Sequence, residues 1–315
     1  MHTKKGLILI GAALVMACIL CFGPAWAGSA LIEDLGPARM DWQTRTLTAQ
    51  GQADAAQSDT EFAQNVYQIQ VRQAKLRARK ALWDGLLRVR VDGEQRVKDI
   101  LQSGLQRTKD LRRLVQSSPI ERIAPDKGPE PESSEEHKKL PAYQARFSLS
   151  GPGAALCIPS ELWYAQKKTS TFTAQGEDLE GKLKFTGLIV DARGLGGKPA
   201  LVCRLFDEHD KLVYGPSLVS RQIGEDQGMV VYSSSMPQAR ANSRAGKAPL
   251  EVRARNRHPD SRTDFVVQAQ DIAPLWRANN WEVFRQGKVI IVLQEEGGEQ
   301  VVEYPLDEEA EIYEY

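Results

Sequence analysis

Along residues 42–51, Trp, Thr and Leu alternate with polar residues at the two-residue period of a half-buried strand. The period then lengthens. Ser58, Asp59 and Thr60 are helix-capping types with Glu61 close behind. From about residue 61 to 89, Phe62, Val66, Ile69, Leu76, Trp83 and Leu87 recur on one side, with Ala74, Ala78 and Ala81 alongside. This spacing predicts a long helix that packs on a sheet through that face, ended by Asp92-Gly93. A second amphipathic helix is predicted over about 94–115, with Val97, Leu101, Gly104, Thr108, Leu111 and Val115 at alternating steps of four and three. Packing within its own domain is the default for such a stripe, and a partner helix is the alternative.

Over 117–141 the composition shifts to Pro, Glu, Ser, Lys and Asp, as expected of a flexible loop. Strand-like alternation resumes at 143–150 and runs into Gly151-Pro152-Gly153, and a second polar stretch spans 166–182. At 188–215 an apolar strand runs into Gly194, Gly196, Gly197 and Lys198. A phosphate-binding loop would need a helix directly after the glycines. Here Pro199 and the β-forming run 200–206 follow, so the stretch reads as strand, glycine loop, strand, turn, strand. Further strands are expected at 229–232, 249–255 and 265–269, with a short helix at 272–280 capped by Asp271. Residues 288–293 form a near-continuous apolar run, the signature of a central strand buried on both faces. An edge strand or frayed end is expected beyond it.

These elements predict an α+β protein: an N-terminal domain of long helices packed on a small antiparallel sheet, followed by a β-rich C-terminal domain. The boundaries expected are a leader at 1–27, the first domain at 28–160 with its loop at 117–141, a linker at 161–183, the second domain at 184–294 and an acidic tail at 295–315. The leader is read from Lys4 and Lys5, the apolar run 6–22 and the small-x-small step Ala25-Trp26-Ala27, which places signal cleavage between Ala27 and Gly28. Lipidation at Cys18 is the competing reading. Export leaves Cys157 and Cys203, for which a disulfide or two separately buried thiols are both open.

The chain has 41 basic and 41 acidic residues, unevenly placed. Basic residues dominate between Arg72 and Arg113, whereas 295–315 carries nine acids and no Lys or Arg. Export removes nucleic acid as a partner for the basic stretch. Solvated helix faces are the plain reading, and contacts with anionic lipid or between basic and acidic regions of neighbouring subunits are the sharper one.

Little in the chain points to catalysis. His137 falls in the loop, His209 in a turn and His258 before Pro259, with no nucleophile motif beside any of them. His209 with Asp207 or Asp210 is a weak metal candidate. Asp191 and Arg193, flanking the glycine loop, are expected to form a structural ion pair. No cofactor and no enzyme activity are predicted; the rival is a ligand pocket or catalytic site near Asp191, Arg193 and His209.

The Trp-led strand, the Ala78–Leu82 ARKAL pattern and the strand ending in Ser-Gly-Pro-Gly resemble a bacterial envelope family. It includes the Helicobacter outer-membrane lipoprotein and FlgP-type flagellar outer-membrane proteins. The segments TGLIVDARGLGGKPAL, DEHDKLVYG, APLEVRARN, TDFVVQAQDIAPL and KVIIVL are similar to the C-terminal extension of its secreted members. The resemblance implies a non-catalytic, self-associating envelope protein whose partners are other envelope or flagellar proteins. Its place would be the periplasm or the outer-membrane periphery, with peripheral membrane contact.

Overall fold

A computed structural model describes residues 31–54, 63–102, 104–123, 140–164, 185–277 and 281–294. The leader with Ala27 and Gly28, His137 and the acidic tail lie outside the described residues.

The first sheet is antiparallel and five-stranded. Strands β1 (Ile32–Asp34), β2 (Ala38–Asp41), β3 (Thr46–Gln52), β4 (Ile120–Arg122) and β5 (Ala142–Ser148) lie in the order β1-β2-β3-β5-β4. The stretch expected as a loop from residue 117 thus begins with a strand, β4, which pairs with β5, and β5 pairs in turn with β3 from Thr46 opposite Ser148 to Gln52 opposite Ala142.

Helix α1 (Ala63–Leu86) lies across this sheet. Its buried face is the alanine side of the one expected: Ala74 and Ala78, with Leu82 and Leu86, are fully buried and Ala81, Trp83 and Leu87 pack against the core, while Ile69 and Leu76 are 63% and 66% exposed. Close approach explains the choice. A Cβ on Gly51 of β3 would stand 2.2 Å from the Ala78 backbone nitrogen and 2.3 Å from the Ala74 carbonyl oxygen. Only the small-residue face lets the helix backbone settle on a strand that carries glycine there.

The second predicted helix is two, α2 (Val97–Gln102) and α3 (Leu105–Gln116). Between them Gly104 has the non-helical angles φ −143° and ψ 89°. Thr108 Oγ1 donates to the Leu101 or Gly104 carbonyl at 3.2 and 3.0 Å, securing the joint. The predicted stripe survives the break, with Val97, Leu101, Leu111 and Val115 buried.

The C-terminal region is richer in helix than expected. Its main sheet is parallel, with β6 (Gly187–Asp191), β9 (Val231–Ser233), β10 (Pro249–Arg253) and β13 (Val289–Val292) in the order β10-β6-β13-β9. Parallel neighbours need crossovers, and these contain α6 (Arg221–Gln227), α7 (Met236–Ala241), α8 (Ala269–Arg277) and α9 (Trp281–Arg285). Two short helices, α4 (Pro152–Cys157) and α5 (Glu161–Tyr164), precede this sheet. All four residues of β13 are buried and the strand lies between β6 and β9, as its apolar run predicts.

The 188–215 stretch does not fold as one hairpin unit. Its first strand belongs to the parallel sheet, whereas β7 (Leu205–Phe206) and β8 (Leu212–Tyr214) join β11 (Asn256–Arg257) and β12 (Phe265–Val266) in a second small sheet. Residues 200–203 were expected to be strand. Instead, the Leu201 and Val202 amides donate to the Arg90 and Val91 carbonyls at 3.1 and 2.7 Å, securing the segment to the turn after α1.

One hydrophobic cluster runs through both regions, taking in Trp42, Leu86 and Leu149 with Tyr232, Phe265 and Leu293. The Trp42 and Tyr232 rings meet edge to face at 6.0 Å.

Candidate functional site

Three strands of the parallel sheet end near candidate chemistry. Asp191 closes β6, Ser233 closes β9 and Arg253 closes β10. Asp191 and Arg193 form the expected pair: Arg193 Nε donates to Oδ1 at 2.8 Å and Nη2 to Oδ2 at 2.7 Å, with the Arg193 amide adding a 3.2 Å bond to Oδ1. Partial burial raises the Asp191 pKa, but the Arg193 hydrogen bonds and the charges of Arg193 and Arg253 outweigh it and leave the carboxyl below its ordinary value.

In the loop that follows, Gly194 and Gly196 have φ +76° and +63°, and a Cβ at either would meet nothing within 4 Å. Their requirement is the left-handed backbone, not space for a phosphate. Gly197 differs, because a Cβ there would stand 2.5 Å from the Phe265 ring.

The loop borders a cleft of about 470 Å³, bounded by residues 31–34, Trp42, Gly197 to Pro199, Leu293 and Gln294. Its chemistry is mixed. The Glu33 carboxylate accepts from Trp42 Nε1 at 2.8 Å and from the Arg90 guanidinium. Arg90 Nε donates to the Pro199 carbonyl at 2.9 Å, and its guanidinium lies 5.9 Å from the Trp42 ring centre. Burial, followed by the charges of Arg90 and Arg262, lowers the Lys198 pKa against the opposing pull of Glu33. Trp42, Leu31 and Leu293 give the cleft its apolar lining, and Glu33, Asp34 and Lys198 give it polar lining, with Arg90 behind it holding Glu33 and Pro199, a combination suited to a small ligand.

The structure does not bring His209 to Asp191. His209 sits in the β7–β8 turn, exposed, with its amide donating to Asp207 Oδ1 at 2.9 Å and its Nε2 4.0 Å from Glu208. Asp207 Oδ1 also accepts from the Lys211 amide, so it closes the turn. Asp210 pairs instead with His258 Nε2 at 2.9 Å, and that imidazole packs on Phe206 with ring centres 4.6 Å apart. Among the described residues, no group of three or more His, Cys, Asp or Glu is placed to hold a metal ion.

Two constellations carried no local sequence signal. Asp210 and His258 are 48 positions apart. Arg204 reaches farther, donating to Asp92 Oδ2 at 3.1 Å, to Asp264 Oδ2 at 3.4 Å, and through its amide to Asp264 Oδ1 at 2.8 Å. Burial raises the Asp264 pKa despite Arg204. Cys157 and Cys203 are both free and buried. Burial pushes the Cys157 thiol up to about 12 and raises that of Cys203 as well.

Antiparallel sheet, parallel sheet and intervening helices together define a mixed α+β protein with a polar cleft beside a parallel strand edge. Residues 187–295 match the family described as the second domain of Treponema pallidum Tp0624. The match opens on the first residue of β6 and extends past β13, so it takes in the whole parallel sheet. No curated protein matches the chain.

Proposed function

We propose that this chain is a non-catalytic scaffold protein of the bacterial envelope, exported by its leader and self-associating, with the flagellar outer-membrane apparatus as its site of action. The finer architecture proposed with it is a helix-on-sheet N-terminal unit joined to a C-terminal unit, both serving as assembly surfaces. The observation that carries this reading is how the ionisable groups near the sheets are used. Glu33–Arg90, Asp92–Arg204–Asp264 and Asp210–His258 each bind one segment of chain to another, and Asp191–Arg193 closes the turn after β6. Such pairings favour a rigid part over a reactive site. Among the described residues, no helix is long and apolar enough to cross a membrane, which accords with a peripheral association.

The test has two arms. A strain lacking the gene should keep its filaments and spread poorly in soft agar, and the purified mature chain should elute as an assembly of defined stoichiometry. Normal spreading removes the flagellar role, and a monomer at all concentrations removes the scaffold.

The cleft beside Lys198 favours a second reading, a periplasmic small-ligand-binding protein. Its mark would be a monomer or dimer whose melting temperature rises with a small solute, an effect lost in Trp42→Ala.

A further inference from the structure

Helices α1 and α3 carry nine basic residues against two acidic ones, Asp84 and Asp110. Of the five large apolar side chains most exposed among the described residues, three, Ile69, Leu76 and Leu105, are on these helices. Along α1 the positions Ile69, Arg72, Leu76, Lys80 and Trp83 follow steps of three and four, so they share one line on the side turned away from the buried Ala74 and Ala78. At the end of that line the Arg112 guanidinium of α3 lies 5.0 Å from the Trp83 ring centre, which joins the two helices into one surface. The line covers about 21 Å at 1.5 Å per residue. A solvated helix face has no need of large apolar residues between its cations, so the surface fits an occupant that is both anionic and apolar.

The chain contains one segment of that chemistry. Residues 295–315 carry nine acids and no base, interleaved with Val301, Val302, Tyr304, Leu306, Ile312 and Tyr313. We infer that this acidic segment docks on the α1–α3 face of its own chain and masks it. Leaving β13 after Gln294, the 21 residues extend up to about 70 Å, about twice the length of a helix of about 36 Å. Tethering favours the intramolecular contact, because a linked partner is present at an effective concentration on the order of millimolar. Ion pairing supplies the attraction, and Ile69 and Leu76 supply apolar contact that charge alone does not. The inference is independent of the scaffold reading, since a mask of this kind serves a monomer and an assembly alike.

Zero-length carbodiimide cross-linking of the intact mature chain tests it, with equal parts of ¹⁴N- and ¹⁵N-labelled protein to separate links within a copy from links between copies. The amide bonds expected join the carboxylates of 295–315 to Lys75, Lys80 or Lys109 within one copy. They should lose most of their yield in 1 M salt, where the screening length falls to about 3 Å. Leu76→Glu and Lys80→Glu, both at exposed positions, should cut the remaining links several-fold without altering the melting temperature. Links only between differently labelled copies would overturn the inference in favour of subunit exchange. Links only to Lys198, Lys211 or Lys288 would place the segment elsewhere and overturn it as well. Flotation of the wild-type chain with phosphatidylglycerol vesicles at 0.15 M salt would show the face open to an anionic lipid surface, which a mask forbids.

Discussion

Replacing Arg204 with Met should destabilise the whole protein. The Arg204 side chain is 12% exposed, and its partners Asp92 and Asp264 are 6% and 3% exposed. Methionine preserves much of the side-chain volume but leaves two buried carboxylates without a cation. Breaking a buried pair by removing one partner costs about 3–5 kcal/mol. For a domain of this size each kcal/mol shifts the melting temperature by about 2–4 °C, so the fall expected lies between about 6 and 20 °C. Acid should return part of the loss. Burial already holds Asp264 above its ordinary value, and removing Arg204 raises it further. A carboxyl whose pKa is higher folded than unfolded stabilises below the unfolded value, and that contribution is lost as pH rises through the folded one. Urea unfolding at pH 7 and pH 5 should therefore show a smaller deficit at the lower pH. A variant within about 0.5 kcal/mol of wild type at pH 7, the range of ordinary surface changes, would refute the argument. So would a deficit that grows on acidification.

Three further predictions are independent of that one. Gly51→Ala presses a methyl group against the α1 backbone and should cost about 3 kcal/mol, the upper end for overpacking, measured by urea melts; a cost under 1 kcal/mol would mean that the helix moves away freely. Neither Cys157 nor Cys203 should react with a thiol reagent in the native mature chain, and both should react after denaturation without reductant, whereas a disulfide would give zero thiols in both states. Asp191→Asn should cost less than about 1 kcal/mol, because its partner Arg193 is 37% exposed. Since the Asp191 pKa is lowered on folding, its contribution is present above the unfolded pKa and lost as pH falls through the folded one, so wild type and variant should converge in acid.

Sequence periodicity is legible where burial is a local matter. The run 288–293 announced β13 because a strand covered on both faces has no polar side to show, and alternation announced β3 and β5. In the face expected for α1, Ala74 and Ala78 are buried but Ile69 and Leu76 are not: they outrank the alanines in hydrophobicity, yet the close approach at Gly51 takes place on the alanine side. Parallel pairing of β6 with β10 and β13 joins residues roughly 60 and 100 positions apart, a separation that no window of periodicity spans. The Asp191–Arg193 pair, two residues apart, was readable. Asp210–His258 and Arg204 with Asp92 and Asp264 were not, because tertiary folding alone brings them together. The cleft was hidden likewise: Trp42, Lys198 and Leu293 come from three distant parts of the chain.

The backbone hydrogen bonds that tether Leu201 and Val202 to Arg90 and Val91 bear on how the 187–295 region is to be handled. Excised at the limits of its family match, this region would lose the backbone acceptors for two buried amides and the Asp92 carboxylate beneath Arg204. Trp42, which covers Tyr232, would go with them. A fragment cut there exposes a raw apolar wound and should precipitate or bind chaperones. A sequence match thus marks limits at which this region is expected not to fold, and it should be expressed together with the helices and sheet that precede it.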